Sequence, residues 1–483
     1  MKKTATILLG SLCALCAQAA DNIYGGADYE KRTTIKGEDV VLNPNQASPT
    51  AEAFFGNKDQ DNTIRSLTTN GSPSKWNCAF GLIIDIKSTA DTFDAFYNNG
   101  TMSWNGAYTK SLVFQNSAGN STYANIDLGT FSMQTNILSE TGRLKILTNA
   151  NVTGTSFTAT NNVQLIIDNN STVTYQMSGA TTFNNTSLLQ IGSGSTLNAT
   201  NSTFSFNGAN TKAIINGVFN YVATNGINLK LRNATISGAG AKVIATEVKS
   251  GTANANSQIY FDGENIVSDG ASIEATGALR LNGGSRLVID DTAGEIKLTK
   301  TLASGILYWG RVLFAGNGEL IVNKKNAFTT DNTKGFAQLT NVGGLSSPNK
   351  LTVAGDNNFE GVYFQDSSRM EITVIDGVKA NFNTVGRNAS KDTTSSPVLA
   401  ELHFADFVEG TIFFDENAWW NDEKLTVTAN DGSNSYTKDQ LALVEVNSEY
   451  GKYALRFQIP EPSTYAAVFG AIALGLAAYR RRR

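Results

Sequence analysis

Chemistry on a substrate needs groups of suitable type close together, and two acidic stretches of this 483-residue chain offer them. Asp290 and Asp291 follow Leu287-Val288-Ile289. Two carboxylates are the minimum for glycosidase-type acid and base work, but neighbours on a strand point to opposite faces, so this pair is expected in a turn. The run Phe414-Asp415-Glu416-Asn417-Ala418-Trp419-Trp420-Asn421-Asp422-Glu423 joins carboxylates to two tryptophans, the residue types of a calcium or a sugar site. It lacks the ligand spacing and central glycine of an EF-hand loop. The competing expectation has one tryptophan packed inward and the acids in water.

His403 is the single histidine, and its setting, Glu401-Leu402-His403-Phe404, reads as a strand in which the imidazole is structural. Of the three cysteines, Cys13 and Cys16 lie in the N-terminal apolar run, which leaves Cys78 without an intramolecular disulfide partner. Cys78-Ala79-Phe80-Gly81 makes it a small buried apolar residue. There is no G-x-S-x-G elbow, H-E-x-x-H helix, phosphate loop or zinc-type cysteine pair. No catalytic residue, metal ligand or cofactor is therefore assigned. Six of the 38 basic residues but only one of the 42 acidic ones fall in the two terminal segments, so the body is more acidic than the net charge of −4 indicates. Such a body lacks the basic stripe of a nucleic-acid binder.

The elements that would carry these groups are strands. A hydrophobic share of 41% permits a core, while Asn, Thr, Ser and Gly punctuate the chain. Short apolar runs recur at Leu144–Leu147, Leu165–Ile167, Leu188–Ile191, Ile214–Ile215, Leu229–Leu231, Ile259–Phe261 and Leu287–Ile289. Most lie about 16 to 29 residues apart, the period of stacked β-solenoid coils. Thr203-Phe204-Ser205-Phe206 and Asn228-Leu229-Lys230-Leu231 alternate as a strand with one buried side must. Asn161-Asn162, Asn169-Asn170, Asn184-Asn185, Asn216-Gly217, Asn225-Gly226 and Gly283-Gly284 supply residues that tolerate a left-handed backbone at corners. No proline lies between Pro73 and Pro348, which permits a long unbroken ladder of backbone hydrogen bonds. The segment from Ile191 to Thr200, Ile-Gly-Ser-Gly-Ser-Thr-Leu-Asn-Ala-Thr, is similar in composition to the passenger repeats of autotransporter adhesins, and that resemblance implies a parallel β-helix.

The termini predict export. Lys2 and Lys3 precede an apolar run from Ala5 to Ala17, and Ala17-Gln18-Ala19 offers the small residues that a signal peptidase accepts before cleavage. At the other end, Pro460-Glu461-Pro462 precedes an uncharged stretch from Tyr465 to Tyr479 and then Arg480, Arg481, Arg482 and Arg483. Such a stretch would rise about 22 Å as a helix, short of the roughly 30 Å hydrocarbon layer, and snorkelling arginines extend its reach. The arginines favour a cytoplasmic C-terminus and thus an exported body. This tail of about 24 residues resembles the PEP-CTERM sorting domain of exported Gram-negative proteins. The resemblance implies recognition of Pro460, Glu461 and Pro462 by an exosortase, a membrane-embedded transpeptidase-like enzyme. An uncleaved single-pass anchor is the alternative.

The expected organisation is all-β: signal peptide 1–19, a less regular N-terminal β region or cap over 20–125, β-solenoid repeats over 126–400, a C-terminal β region over 401–459, and a sorting tail with a short transmembrane helix over 460–483. Expected partners are signal peptidase, an exosortase-like sorting enzyme, the inner membrane in transit, and exopolysaccharide or like copies. The expected role is structural or adhesive at the cell surface or in the extracellular matrix. The alternatives are a glycan-binding adhesin and a β-helix polysaccharide lyase or glycoside hydrolase.

Overall fold

The computed structural model describes residues 21–24, 39–43, 52–55, 62–70, 75–78, 81–105, 111–135, 141–200, 203–223, 227–248, 258–299, 301–303, 306–308, 310–331, 337–342, 345–392, 397–458, 470–472, 474 and 480. Within them the chain is all β, apart from short 3-10 turns and the helical residues at 470–472, 474 and 480. The strands are short, and long sheets arise because each strand pairs with one from the next coil. Gly142–Ile146 lies in a 16-stranded sheet (sheet I), Ala150–Gly154 in a 13-stranded sheet (sheet II) and Ser156–Thr160 in a 14-stranded sheet (sheet III), after which Val163–Ile167 returns to sheet I. Sheets II and III are parallel throughout, and sheet I is parallel up to its last pair. Long parallel sheets visited in rotation fit a parallel β-helix.

Register places like on like. In sheet I the backbone pairing runs Ile64, Ile84, Phe114, Ile146, Ile167, Ile191, Ile215, Ile236, Val267, Ile289, Val322, Val353 and Val374. Branched aliphatics suit this site because a pleated surface holds their side chains in one rotamer against the residue above. Each turn closes on the last through hydrogen bonds that link residues 21 apart at Asn216 and Ser237 and 33 apart at Asn357 and Lys324. The repeat is thus variable in length, and its extra residues leave at the corners. The apolar runs behind the expected period belong to two faces: Leu229–Leu231 and Ile259–Phe261 lie in sheet III, the others in sheet I.

One core cluster runs from Val40 to Leu455. Its aromatic rings stack between coils, as in Phe131 on Phe157 at 6.1 Å and Phe183 on Phe206 at 4.8 Å. Corners between sheets I and II stack small residues, Thr148, Ser171, Ser195, Gly217, Ala241 and Ala271. Gly217 shows why: a Cβ there would lie 2.3 Å from the carbonyl oxygens of both Gly192 and Ser195. Corner asparagines Asn161, Asn162, Asn169, Asn170 and Asn185 have positive φ between 54° and 64°.

The segment expected to form a cap over 20–125 contributes strands to all three sheets, from Asp21–Tyr24 in sheet II, Glu52–Phe55 in sheet III and Asn62–Ile64 in sheet I. Sheet I also continues through residue 400, pairing Ser368–Val374 with Ala400–Ala405 and then Leu425–Asn430. The change of pattern comes later. Leu425–Asn430 pairs antiparallel with Ser435–Thr437, and Ile412–Phe414 pairs antiparallel with Gly451–Phe457, which forms a hairpin with Leu441–Ser448. The signal segment 1–19, Ala17 and Ala19 included, lies outside the described residues, as do Pro460, Glu461, Pro462, Arg481, Arg482 and Arg483. No helix among the described residues is long and apolar enough to cross a membrane.

Tyr175 carries a hydroxyl into the core, where it shares a 2.7 Å hydrogen bond with Thr181, also fully buried. Thr181 stands between Phe157 and Phe204 in its register column, so the polar atom of one coil serves the next strand. Thr181→Val is expected to cost about 1–3 kcal/mol by stranding the phenol, whereas adding Tyr175→Phe recovers most of that loss. Urea unfolding of the two variants checks this; equal stability of single and double variants would refute it.

Candidate functional site

The two acidic stretches do not converge. Asp290 and Asp291 lie in the turn between sheets I and II, as expected. Thr292 donates to Asp290 from both its hydroxyl (2.8 Å) and its backbone N–H (3.2 Å), and these bonds hold the Asp290 carboxyl below its ordinary range. Asp290 is thus spent on the turn. In the second stretch Trp419 packs inward, 4.8 Å from the Phe414 ring, and donates its indole N–H to the Glu416 carbonyl at 2.8 Å. Trp420 is half-buried beneath Lys438. Asp422 does not stand free in water: Arg387 binds it at 2.6 Å and Asp392 at 2.6 Å, and Lys424 adds a 2.9 Å bond to Asp392. Those cations and the Val398 N–H hold the Asp392 carboxyl well below the usual carboxylate range. Arg387 thereby ties the end of sheet III to the loop before the last parallel strand.

Asp415 takes a different position. It lines a polar hollow of about 480 Å³ with Asn358, Asn381, Asn447, Glu449 and Lys452, where the parallel coils meet the closing hairpin. Asn381 donates to Asp415 at 3.4 Å. His403 accepts or donates at Nδ1 with Thr428 at 2.8 Å and faces Glu371 across the ladder. Cys78 lies in the strand Lys75–Cys78, paired with Phe55, and its side-chain surroundings fall outside the described residues. Among the described residues no group of three or more His, Cys, Asp or Glu is placed to hold a metal.

A second hollow, of about 450 Å³, opens on the outer face of sheet II and was not anticipated from the sequence. Tyr97, Asp94, Asn125, Asp127, Asn151 and Thr153 form most of its wall. Its origin is one extra residue. Asn125 pairs with Asp94 but Ile126 with Phe96, so Ala95 is bulged out of register. The slip turns Phe96 into the core and leaves Tyr97 47% exposed, the only aromatic among the exposed large hydrophobic side chains of the described residues. The signal was present in Phe93-Asp94-Ala95-Phe96-Tyr97, where strict alternation fails at Ala95 and Phe96.

The surroundings fix this wall. Asn125 donates to Asp94 at 2.8 Å and Asn151 to Asn125 at 3.1 Å, a side-chain ladder across three coils. Behind Tyr97, buried Asn98 donates to the carbonyls of Leu128 (2.6 Å) and Gly100 (3.2 Å) and accepts from Thr69 (2.9 Å). Gly129, at φ +54°, lets the coils close here, since a Cβ would fall 2.6 Å from the Gly100 carbonyl oxygen. Its N–H is held by Asp127 at 2.9 Å.

No protein-family model, curated protein or solved structure matches this chain.

His403 supplies a clean pH probe because no other imidazole is present. Partial burial, with Arg369 nearby, lowers its proton affinity below the ordinary 6.5, against the opposing pull of Glu371. A depressed histidine favours protonation of the unfolded chain, so its contribution to stability declines as pH falls through and below 6.5. The single imidazole resonance should titrate below that value in the folded protein and return to it in denaturant; a folded midpoint at or above 6.5 would contradict the placement.

Proposed function

We propose that this protein is an exported surface or extracellular-matrix component, a parallel β-solenoid with a structural or adhesive role, sorted by its C-terminal tail. The observation that carries the structural reading is the outward chemistry of the sheets. Neutral hydrogen-bonding side chains are stacked coil upon coil: Asn125 on Asn151, Asn198 under Asn220 at 3.2 Å, Ser103 against Ser132 at 2.9 Å. Rows of this kind present the same amide or hydroxyl every ~4.8 Å and suit repetitive contact with polysaccharide or with like copies.

The export reading rests on the ends. A basic, apolar, small-residue leader ending at Ala17 and Ala19 makes signal peptidase the first partner. The Pro460-Glu461-Pro462 tripeptide, the uncharged segment and the Arg480–Arg483 cluster make an exosortase-like enzyme the second, acting at the inner membrane. Two prolines in one tripeptide would disfavour a helical backbone and favour an extended one, the form in which an enzyme at the membrane face would meet it. A second reading, a glycan-binding adhesin, is favoured by the hollow beside Tyr97. For the polysaccharide-degrading alternative the candidate group is Asp415 in its polar hollow, and Asp415→Asn is its test.

Expression in a Gram-negative host with an exosortase-like enzyme tests the sorting. The recovered body should begin at Ala20 and reach the surface or medium without the 460–483 segment. Deleting that segment should leave the body in the periplasm, and replacing Arg480–Arg483 with alanine should impair membrane retention of the precursor. Full-length chain found soluble in the cytosol with both ends intact would overturn the proposal.

A further inference from the structure

We infer that the hollow beside Tyr97 on sheet II is a binding site for a neutral polysaccharide, with an uncharged pyranose ring seated on the Tyr97 face. This inference rests on the adhesive reading above and gives it a site and a ligand class.

Four features point to that occupant. First, Tyr97 is the one aromatic among the exposed large hydrophobic side chains of the described residues, and its exposure follows from the bulge at Ala95. A bare aromatic face beside polar groups suits a ligand with one apolar face and a polar edge, which describes a pyranose presenting its C–H bonds to the ring. Second, the edge groups are those that recognise hydroxyls. Asp94 and Asp127 accept, Asn125 and Asn151 offer both donors and acceptors, and Thr153 and Thr68 do the same with hydroxyls. Third, the wall has no lysine or arginine while it carries two carboxylates, so a uronate or sulfated chain would meet like charge with no cation to offset it. Fourth, the groups are held before any ligand arrives: Asn98 anchors the strand behind Tyr97, and the Asp94–Asn125–Asn151 ladder fixes the amides. Binding then loses little side-chain freedom.

The sheet direction extends the site. Tyr97 pairs with Thr68 on one side and Asp127 on the other, and Asp127 pairs with Thr153. A chain laid across the coils would thus pass from the ring onto a carboxylate and then a hydroxyl. Tyr260 on sheet III is the natural contrast. It too points outward, but Arg280 lies 5.4 Å from its ring and Lys230 5.9 Å, so its faces are already used by cations.

The test is affinity electrophoresis of the full-length chain in gels holding a neutral glucan, mannan or xylan, or a polyuronate, with calorimetry on matching oligosaccharides. Retardation is expected in at least one neutral gel and not in the polyuronate gel. Tyr97→Ala should weaken binding tenfold or more, Tyr97→Phe should keep most of it, and Asp127→Ala should weaken it without removing it. Tyr260→Ala should leave it unchanged, and thermal unfolding of the exposed Tyr97→Ala variant should match the parent. Absence of neutral-glycan binding, equal binding by Tyr97→Ala, a loss on Tyr260→Ala instead, or stronger binding to polyuronate would each overturn the site. None of those results bears on export or tail processing, which the localisation experiment judges separately.

Discussion

Everything in this molecule depends on the register between one coil and the next. A parallel ladder commits each residue to lie over its counterpart a turn away, and that turn varies in length, so register is set locally at every step. The Ile/Val column of sheet I enforces it: a slip of one residue would expose the whole column and bury the polar row beside it. Side-chain ladders on the outer face reinforce the same alignment, since Asn151 reaches Asn125 and Asn220 reaches Asn198 only in this register. Corners then need residues that occupy little space or accept a left-handed backbone. That need explains Gly217 under its neighbours' carbonyls and the positive φ of Asn161 and Asn169.

Variation within the ladder is handled by hydrogen bonds that travel with the irregularity. Asn265 occupies the register column held by Leu287 and Ala234, a position where a polar side chain costs several kcal/mol if unpaired. It is fully used: the side-chain amide donates to the carbonyls of Asp262, Gly263 and Arg286, and its oxygen accepts from the Ala234 N–H at 2.9 Å. Asn357 does the same one corner further on, accepting from Ala327 and donating to Lys324 and Gly355. Tyr175 with Thr181 is the corresponding device inside the core. The fold therefore admits polar residues inward wherever a corner or an adjacent strand supplies their partners.

The parts legible in the sequence are those with a repeating physical cause. Strand character, inward Ile and Leu, and asparagine corners were all readable because each follows from a two-residue alternation or a local backbone preference. Which face a run belongs to was not. Leu229–Leu231 and Leu287–Ile289 look alike as strings yet stand in different sheets, because the choice depends on how many residues the intervening corners absorb. The small-residue column at the corners between sheets I and II was invisible for a related reason: Thr148, Ser171 and Ser195 become neighbours only once the chain is wound. The acidic stretches were visible as composition, but their partners Arg387 and Thr292 were needed to show that Asp422 and Asp290 are committed to structure.

The hollow on sheet II follows from the same logic in reverse. A ladder that repeats without fault presents a uniform wall, and a uniform wall has little to distinguish one ligand from another. Specific recognition requires a local departure, yet a departure weakens register unless other bonds restore it. Ala95 is such a departure, and its repair is visible on both sides: Asn98 ties the bulged strand to the coil at Leu128, and Gly129 permits the approach that this tie demands. The slip exchanges two rings: Phe96 turns into the core, where it meets Phe114 at 5.8 Å and Phe131 at 6.2 Å, and Tyr97 turns to water. That Tyr97 stands outward between Thr68 and Asp127, with the backbone behind it bonded in place, makes the irregularity a means of aiming a side chain.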